Sequence, residues 1–213
     1  MGHPPFVQQL PRALELAPEL VSIAGGTNDV FRPRVDLDRI ATRFDQAVGA
    51  LRANGAQVLL FQAVDPTPRS RVIGRARARL RALTDIVEDT AARHDCLVLR
   101  LWDASVLADP RLWSVDRLHL SSEGHARVAC GVLELLGMGD APASWTEPLS
   151  IPYLRPDLRA RLVSDARWAR HYLVPWMGRR LRGVSSGDSV LAKRPTLTPY
   201  DVWAPDPTDP SAG

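Results

Sequence analysis

Leu20-Val21-Ser22-Ile23-Ala24 runs directly into Gly25-Gly26-Thr27-Asn28-Asp29. The first five residues form a short, nearly continuous apolar row, which reads as a buried strand. The two glycines end it, because they let the backbone turn sharply. Downstream, Leu37, Ile40, Phe44, Ala47, Val48 and Leu51 recur at helical spacing, with Asp36 placed to cap the helix and Asn54-Gly55 to stop it. Val58-Leu59-Leu60-Phe61 is a second strand, closed by the Asp65-Pro66 turn. Val72, Ala76, Leu80, Leu83, Val87 and Ala91 mark one face of a second helix, with arginines and acids on the other. Cys96-Leu97-Val98-Leu99 is a third strand, and after a loop Ser121 can cap a last helix carrying Val128, Val132 and Leu135. Strands alternating with helices imply parallel pairing through right-handed crossovers, an α/β layered fold. Functional groups in such folds sit at the carboxyl ends of the strands.

Composition bounds the possibilities. The 213 residues, 45% hydrophobic and 24% charged, suit one globular domain, or a domain with a sizeable tail. No apolar run reaches the ~18–20 residues of a membrane span, and no charged-then-apolar signal follows Met1, so a cytoplasmic protein is expected. Cys96 and Cys130 are expected to be reduced core residues, and no Cys/His cluster has metal-ligand spacing. The basic balance, +3 overall, is carried by arginine, with Lys193 the only lysine; it does not by itself make a nucleic-acid binder. No nucleic-acid partner is expected.

From Gly139 the pattern changes. Pro142, Pro148, Pro152 and Pro156 punctuate a linker. A helical stripe of Leu154, Leu158, Leu162, Ala166, Ala169 and Leu173 follows among many arginines, until Pro175 and Gly178 interrupt it. This basic helix, Leu154–Arg182, is expected to pack its Leu and Trp residues onto the core; binding to an anionic surface is the competing reading. Residues 183–213 are rich in Ser, Pro, Asp and Thr and are expected to be disordered.

Two clusters carry chemistry. In Gly25-Gly26-Thr27-Asn28-Asp29 the asparagine amide offers two N–H donors that could stabilise an oxyanion, although the same residues also make an ordinary strand-ending turn. In Asp116-Arg117-Leu118-His119 an Asp three residues before a His can fold back onto one imidazole nitrogen. That leaves the other free as a general base, unless the two never meet in a surface loop. His125 is expected to be a partly exposed helix residue, and His94 and His171 surface positions.

Taken together and in this order, Gly26-Thr27-Asn28-Asp29 and Asp116-x-x-His119 resemble the third and fifth blocks of the SGNH (GDSL-type) hydrolases. The run from Trp113 to His125 is particularly similar. The resemblance spans roughly residues 7–138. It implies a three-layer flavodoxin-like fold and hydrolysis of a small-molecule ester or acyl substrate by a serine nucleophile, with no metal or cofactor. By the same resemblance, Asn28 and Gly26 belong to the oxyanion hole, His119 is the general base and Asp116 orients it.

The family opens with a strand ending in Gly-Asp-Ser and a second block supplying an oxyanion-hole glycine. Neither stands ahead of Asn28 here. Gly2 lies too close to Leu10-Pro11-Arg12-Ala13, which resembles the helix after the second block. Gly187-Asp188-Ser189 follows no apolar strand and reads as a chance tripeptide, so the nucleophile is unknown. The expectation is an N-terminally incomplete domain, begun at an internal methionine or left by a degraded gene. It should be inactive as it stands, with the Leu20–Ala24 strand at an exposed edge and a tendency to aggregate. The alternative is a non-catalytic relative serving as a binding or assembly module.

Overall fold

The computed structural model describes residues 5–32, 34–67, 74–138, 145–154 and 156–181. Helix α1 (Pro5–Leu16) leads into β1 (Leu20–Ile23), the one-turn α2 (Thr27–Val30), α3 (Leu37–Ala53), β2 (Gln57–Phe61), α4 (Arg77–His94) and β3 (Leu97–Leu99). Two 3-10 turns, Ser105–Ala108 and Pro110–Leu112, precede α5 (Ser122–Leu135). Helix α6 (Leu158–Trp168), a π turn (Ala169–Leu173) and α7 (Val174–Leu181) follow. No described helix is long and apolar enough to cross a membrane.

The strands form one sheet in the order β1-β2-β3, and both pairs are parallel: Leu20 lies opposite Gln57, and Leu60 opposite Val98. Side chains alternate between the two faces. Val58, Leu60 and Val98 pack against Phe44, Val48 and Leu51 of α3 and Val87 and Ala91 of α4, with Leu10, Ala13 and Leu14 of α1 at the flank. Leu99 and Phe61 belong to a second cluster with Val128, Val132 and Leu135 of α5. Helices thus cover both faces, giving three layers. Each fully buried Val, Leu or Phe contributes about 1.5–3 kcal/mol. A third cluster, with Val30, Ala63, Leu80, Leu83 and Trp102, closes the carboxyl edge.

Local signals set the boundaries. The Asp36 side chain accepts from the Arg39 N–H at 2.9 Å, Gly55 takes φ +90° just after α3, and Ser121 Oγ accepts from the Gly124 N–H at 3.2 Å. The helix expected around Val72 begins, in the described part, at Arg77; Val72 itself lies outside the described residues, as do Gly2 and everything from Arg182 onward.

Four expectations need correction. Strand β1 is not buried on both faces: Val21 and Ile23 pack on the cluster of α3 and α4, whereas Leu20, Ser22 and Ala24 on the other face join no core cluster among the described residues and are exposed, Leu20 at 43%. His94 is no open surface residue but is partly buried, its side chain 25% exposed, and its Nε2 lies 2.8 Å from Asp45 Oδ1, joining α4 to α3. Pro175 does not break the C-terminal helix but lies within α7. A π turn directly before it accommodates the missing N–H and the crowding of the ring against the preceding turn. The apolar stripe of that segment does not pack: Leu154, Leu158 and Leu162 are exposed, and Trp168 alone in α6 is buried. His171 is exposed, and so is His125 on α5. Cys96 and Cys130 are free and partly buried.

Candidate active site

The loop after β3 is shaped by its own polar groups. Trp113 and Leu120 form an antiparallel bridge, within which the Ser114 N–H donates to the His119 carbonyl at 2.8 Å. At the base, Ser121 Oγ donates to the Arg111 carbonyl at 2.9 Å and the Ser121 N–H to the Leu112 carbonyl at 2.9 Å. The same hydroxyl caps α5, so loop and helix share one anchor.

Within this hairpin, Asp116 folds back as the spacing predicts. Its Oδ1 accepts from the Leu118 N–H at 2.9 Å and the His119 N–H at 3.0 Å, while Oδ2 lies 2.6 Å from His119 Nδ1. Arg117 reaches the left-handed region, φ +60°, to make the turn this tight. Burial pushes the Asp116 carboxyl up, but hydrogen bonds from the His119 ring and from the His119 and Leu118 backbone outweigh it. The group is thus held below the ordinary aspartate range. The Asp116 side chain is 22% exposed and that of His119 80%. A carboxylate receiving Nδ1–H leaves Nε2 as the ring's acceptor, the arrangement a general base requires.

The other cluster lies beyond the carboxyl end of β1. Gly26 takes φ +84° and its carbonyl accepts from the Asp29 and Val30 N–H groups, at 2.9 and 3.2 Å. A Cβ on Gly26 would lie 2.7 Å from Leu83 Cδ1, so close packing as well as the backbone angle demands glycine. Asn28 is exposed on the one-turn α2, above the wholly buried Val30. The structure therefore brings Asp116 and His119 into contact in the loop after β3, and sets Gly26 and Asn28 beyond β1, with β2 between the two strands.

Three further residues attach to the Asp116–His119 turn that the sequence does not single out. Trp168 Nε1 donates to the Asp116 carbonyl at 2.8 Å, and Arg117 donates to Asp165 at 2.6 Å and to Ser164 Oγ at 3.0 Å. These partners lie some fifty positions away, beyond any local pattern. A groove of about 1430 Å³ opens beside the turn, lined by Val115, Arg117, Tyr153 and Trp168 but by neither Asp116 nor His119. Among the described residues, no group of three His, Cys, Asp or Glu side chains is placed to hold a metal.

Residues 2–127 match the family model of GDSL-like lipases and acylhydrolases, more than half of the chain. The chain belongs to the GDSL-like lipase/acylhydrolase family. Its fold agrees with solved structures. An alpha/beta hydrolase enzyme from the metagenome of Lake Arreo, Spain, superposes with TM-score 0.55 at 23% identity, over 62% of this chain and 66% of that one. Axe2, an acetylxylan esterase from Geobacillus stearothermophilus, gives TM-scores of 0.54 and 0.56 in two structures. Identity is 21% and 20%, over 64% and 65% of this chain and 70% and 68% of those. A search of curated proteins gives no match. The GDSL-like match ends within α5, so α6 and its contacts to Arg117 and Asp116 fall outside it.

Proposed function

We propose that this family member is a serine-type hydrolase of small-molecule esters, with His119 as general base, Asp116 as its orienting carboxylate, and Gly26 and Asn28 on the oxyanion side. The observation that carries the reading is the 2.6 Å contact of Asp116 Oδ2 with His119 Nδ1, on an imidazole open to solvent. In the reaction His119 Nε2 takes the proton of the attacking hydroxyl as its oxygen bonds to the ester carbonyl. As the C–O bond to the alcohol breaks, His119 returns that proton to the departing oxygen. N–H donors near Asn28 would steady the negative charge on the former carbonyl oxygen. Water then repeats the sequence on the acyl intermediate and regenerates the hydroxyl. No residue of this chain is put forward as the nucleophile.

The test is hydrolysis of p-nitrophenyl acetate by the natural protein, with labelling by a serine-directed fluorophosphonate. His119→Ala should lower kcat by roughly 10²–10⁴-fold, and the labelled peptide identifies the serine. Turnover unchanged in His119→Ala overturns the assignment. A folded protein with neither turnover nor label overturns hydrolysis and supports a non-catalytic binding module instead.

A further inference from the structure

The Asp116–His119 turn is held locally by the Trp113–Leu120 bridge, by the Arg117 N–H on the Ser114 carbonyl at 2.9 Å and by the Asp116 carboxylate on the Leu118 and His119 N–H groups, yet it stands out from the body of the fold. Val115 is 74% exposed, Leu118 and His119 are exposed as well, and Arg117 takes a backbone conformation that L-residues avoid. Among the described residues, α6 adds support from outside the loop. Trp168 donates its indole N–H to the Asp116 carbonyl, and the Arg117 guanidinium lies 5.2 Å from the centre of the Trp168 ring. The same guanidinium bonds Asp165 and Ser164, one helical turn back along α6. Trp168 is 7% exposed, whereas Leu158, Leu162 and Val163 of the same helix are exposed. The one buried side chain of α6 is therefore committed to the main chain of the residue that orients the histidine. An arginine stacked on an indole and paired with a carboxylate is also a rigid unit, since its planar fork loses little further freedom.

We infer that α6 is a positioning element for the Asp116–His119 pair, with Trp168 and Arg117 as positioning residues that keep the Asp116 carboxylate on His119 Nδ1. The inference rests on the reading of these two residues as the acid–base pair, and it makes the C-terminal segment part of the site. Trp168 fixes the carbonyl at the start of the turn, and Arg117 fixes the residue that bends it. Between them the carboxylate has one direction in which to point.

The test uses the full chain with isotope-labelled histidine, following the Nδ1–H proton resonance of His119, assigned by its loss in His119→Ala. Wild type is compared with Trp168→Phe, which keeps a ring and removes the donor, with Asp165→Asn, and with Val163→Ala as a control on the same helix. The resonance should be sharp in wild type and Val163→Ala. It should exchange away with water in Trp168→Phe and broaden in Asp165→Asn. Ester turnover should fall roughly tenfold in kcat in Trp168→Phe with KM unchanged, as expected for misorientation rather than lost binding. Asp165 is exposed, so Asp165→Asn decides the matter should Trp168→Phe fail to fold. A resonance unchanged in every folded variant overturns the inference, whatever the turnover. A resonance lost in Trp168→Phe or broadened in Asp165→Asn, in a protein whose wild type has no turnover, upholds positioning and overturns the hydrolase reading alone.

Discussion

The Gln62 side chain accepts the Trp102 backbone N–H at 3.1 Å through Oε1, while its Nε2 donates to Glu88 at 2.6 Å. This buried amide ties the residue after β2 to the loop after β3 and to α4, at the carboxyl edge where the candidate site lies. Arg100 completes the knot by gripping Glu88 at 2.9 and 3.0 Å. Gln62→Ala would leave a buried N–H without its acceptor. We expect a loss of about 1–3 kcal/mol in urea unfolding. An unchanged midpoint would show that water replaces the amide.

Gly26→Ala and Gly55→Ala should separate backbone strain from crowding. Both glycines have positive φ, and alanine there costs about 1–2 kcal/mol in either place. Beyond Gly55 nothing lies within 4 Å, but at Gly26 the new methyl meets the buried Leu83. Overpacking should therefore add about 1–3 kcal/mol at Gly26 alone. Equal losses in thermal unfolding would refute the crowding.

Gly131→Ala addresses the docking of the segment after α5. Its Cβ would lie 2.8 Å from Trp145 Cε2, and Trp145 is a buried member of the cluster that includes Leu99, Leu107 and Leu112. The indole must shift outward. Acrylamide should quench tryptophan fluorescence more strongly in this variant, and the difference should vanish in a Trp145→Phe background.

The acid limb of stability follows from three depressed aspartates, Asp65, Asp109 and Asp116; in Asp65 burial is outweighed by bonds from Thr67 and Arg77. Asp109 is lowered first by its hydrogen bonds to Arg111, which overcome the opposing effect of burial. For Asp116 burial is the largest single influence and pushes the carboxyl up, but the His119 and Leu118 bonds together outweigh it and hold the group low. A carboxyl depressed on folding gives stability that is complete above its unfolded value, about 3.9, and is lost as pH falls through the lower folded value. Stability measured from pH 5 down to pH 2 should therefore fall, and Asp109→Asn should flatten part of that descent. A descent of equal steepness in the variant would exclude Asp109 as a contributor.

The features legible in the sequence are those that local chemistry fixes. The Asp36 and Ser121 caps, the stop at Asn54-Gly55, and the fold-back of Asp116 onto His119 each join groups within a few residues. The apolar runs at Val58–Phe61 and Leu97–Leu99 needed only to be continuous and too short for a helix. The features that escaped depend on what lies opposite. His94 finds Asp45 on another helix, and Trp168 finds a carbonyl in a loop it follows at a distance. Pro175 survives in a helix because the turn before it is widened, a compensation that composition does not announce. The open edge of β1 was expected from the missing first blocks, but the exposure of one whole face depends on what packs there, not on its own apolar row.

The parallel register of the sheet governs how the chain reaches this state. Leu20 meets Gln57 across all of α3, and Leu59 meets Leu97 across all of α4. Each ladder therefore forms only after a loop the length of an entire helix has closed, at an entropic cost that no local contact offsets beforehand. Helices form faster than such closures, so the helical signal should appear in refolding before the cooperative core. The pace of folding is set by when β2, the strand common to both ladders, captures its two neighbours.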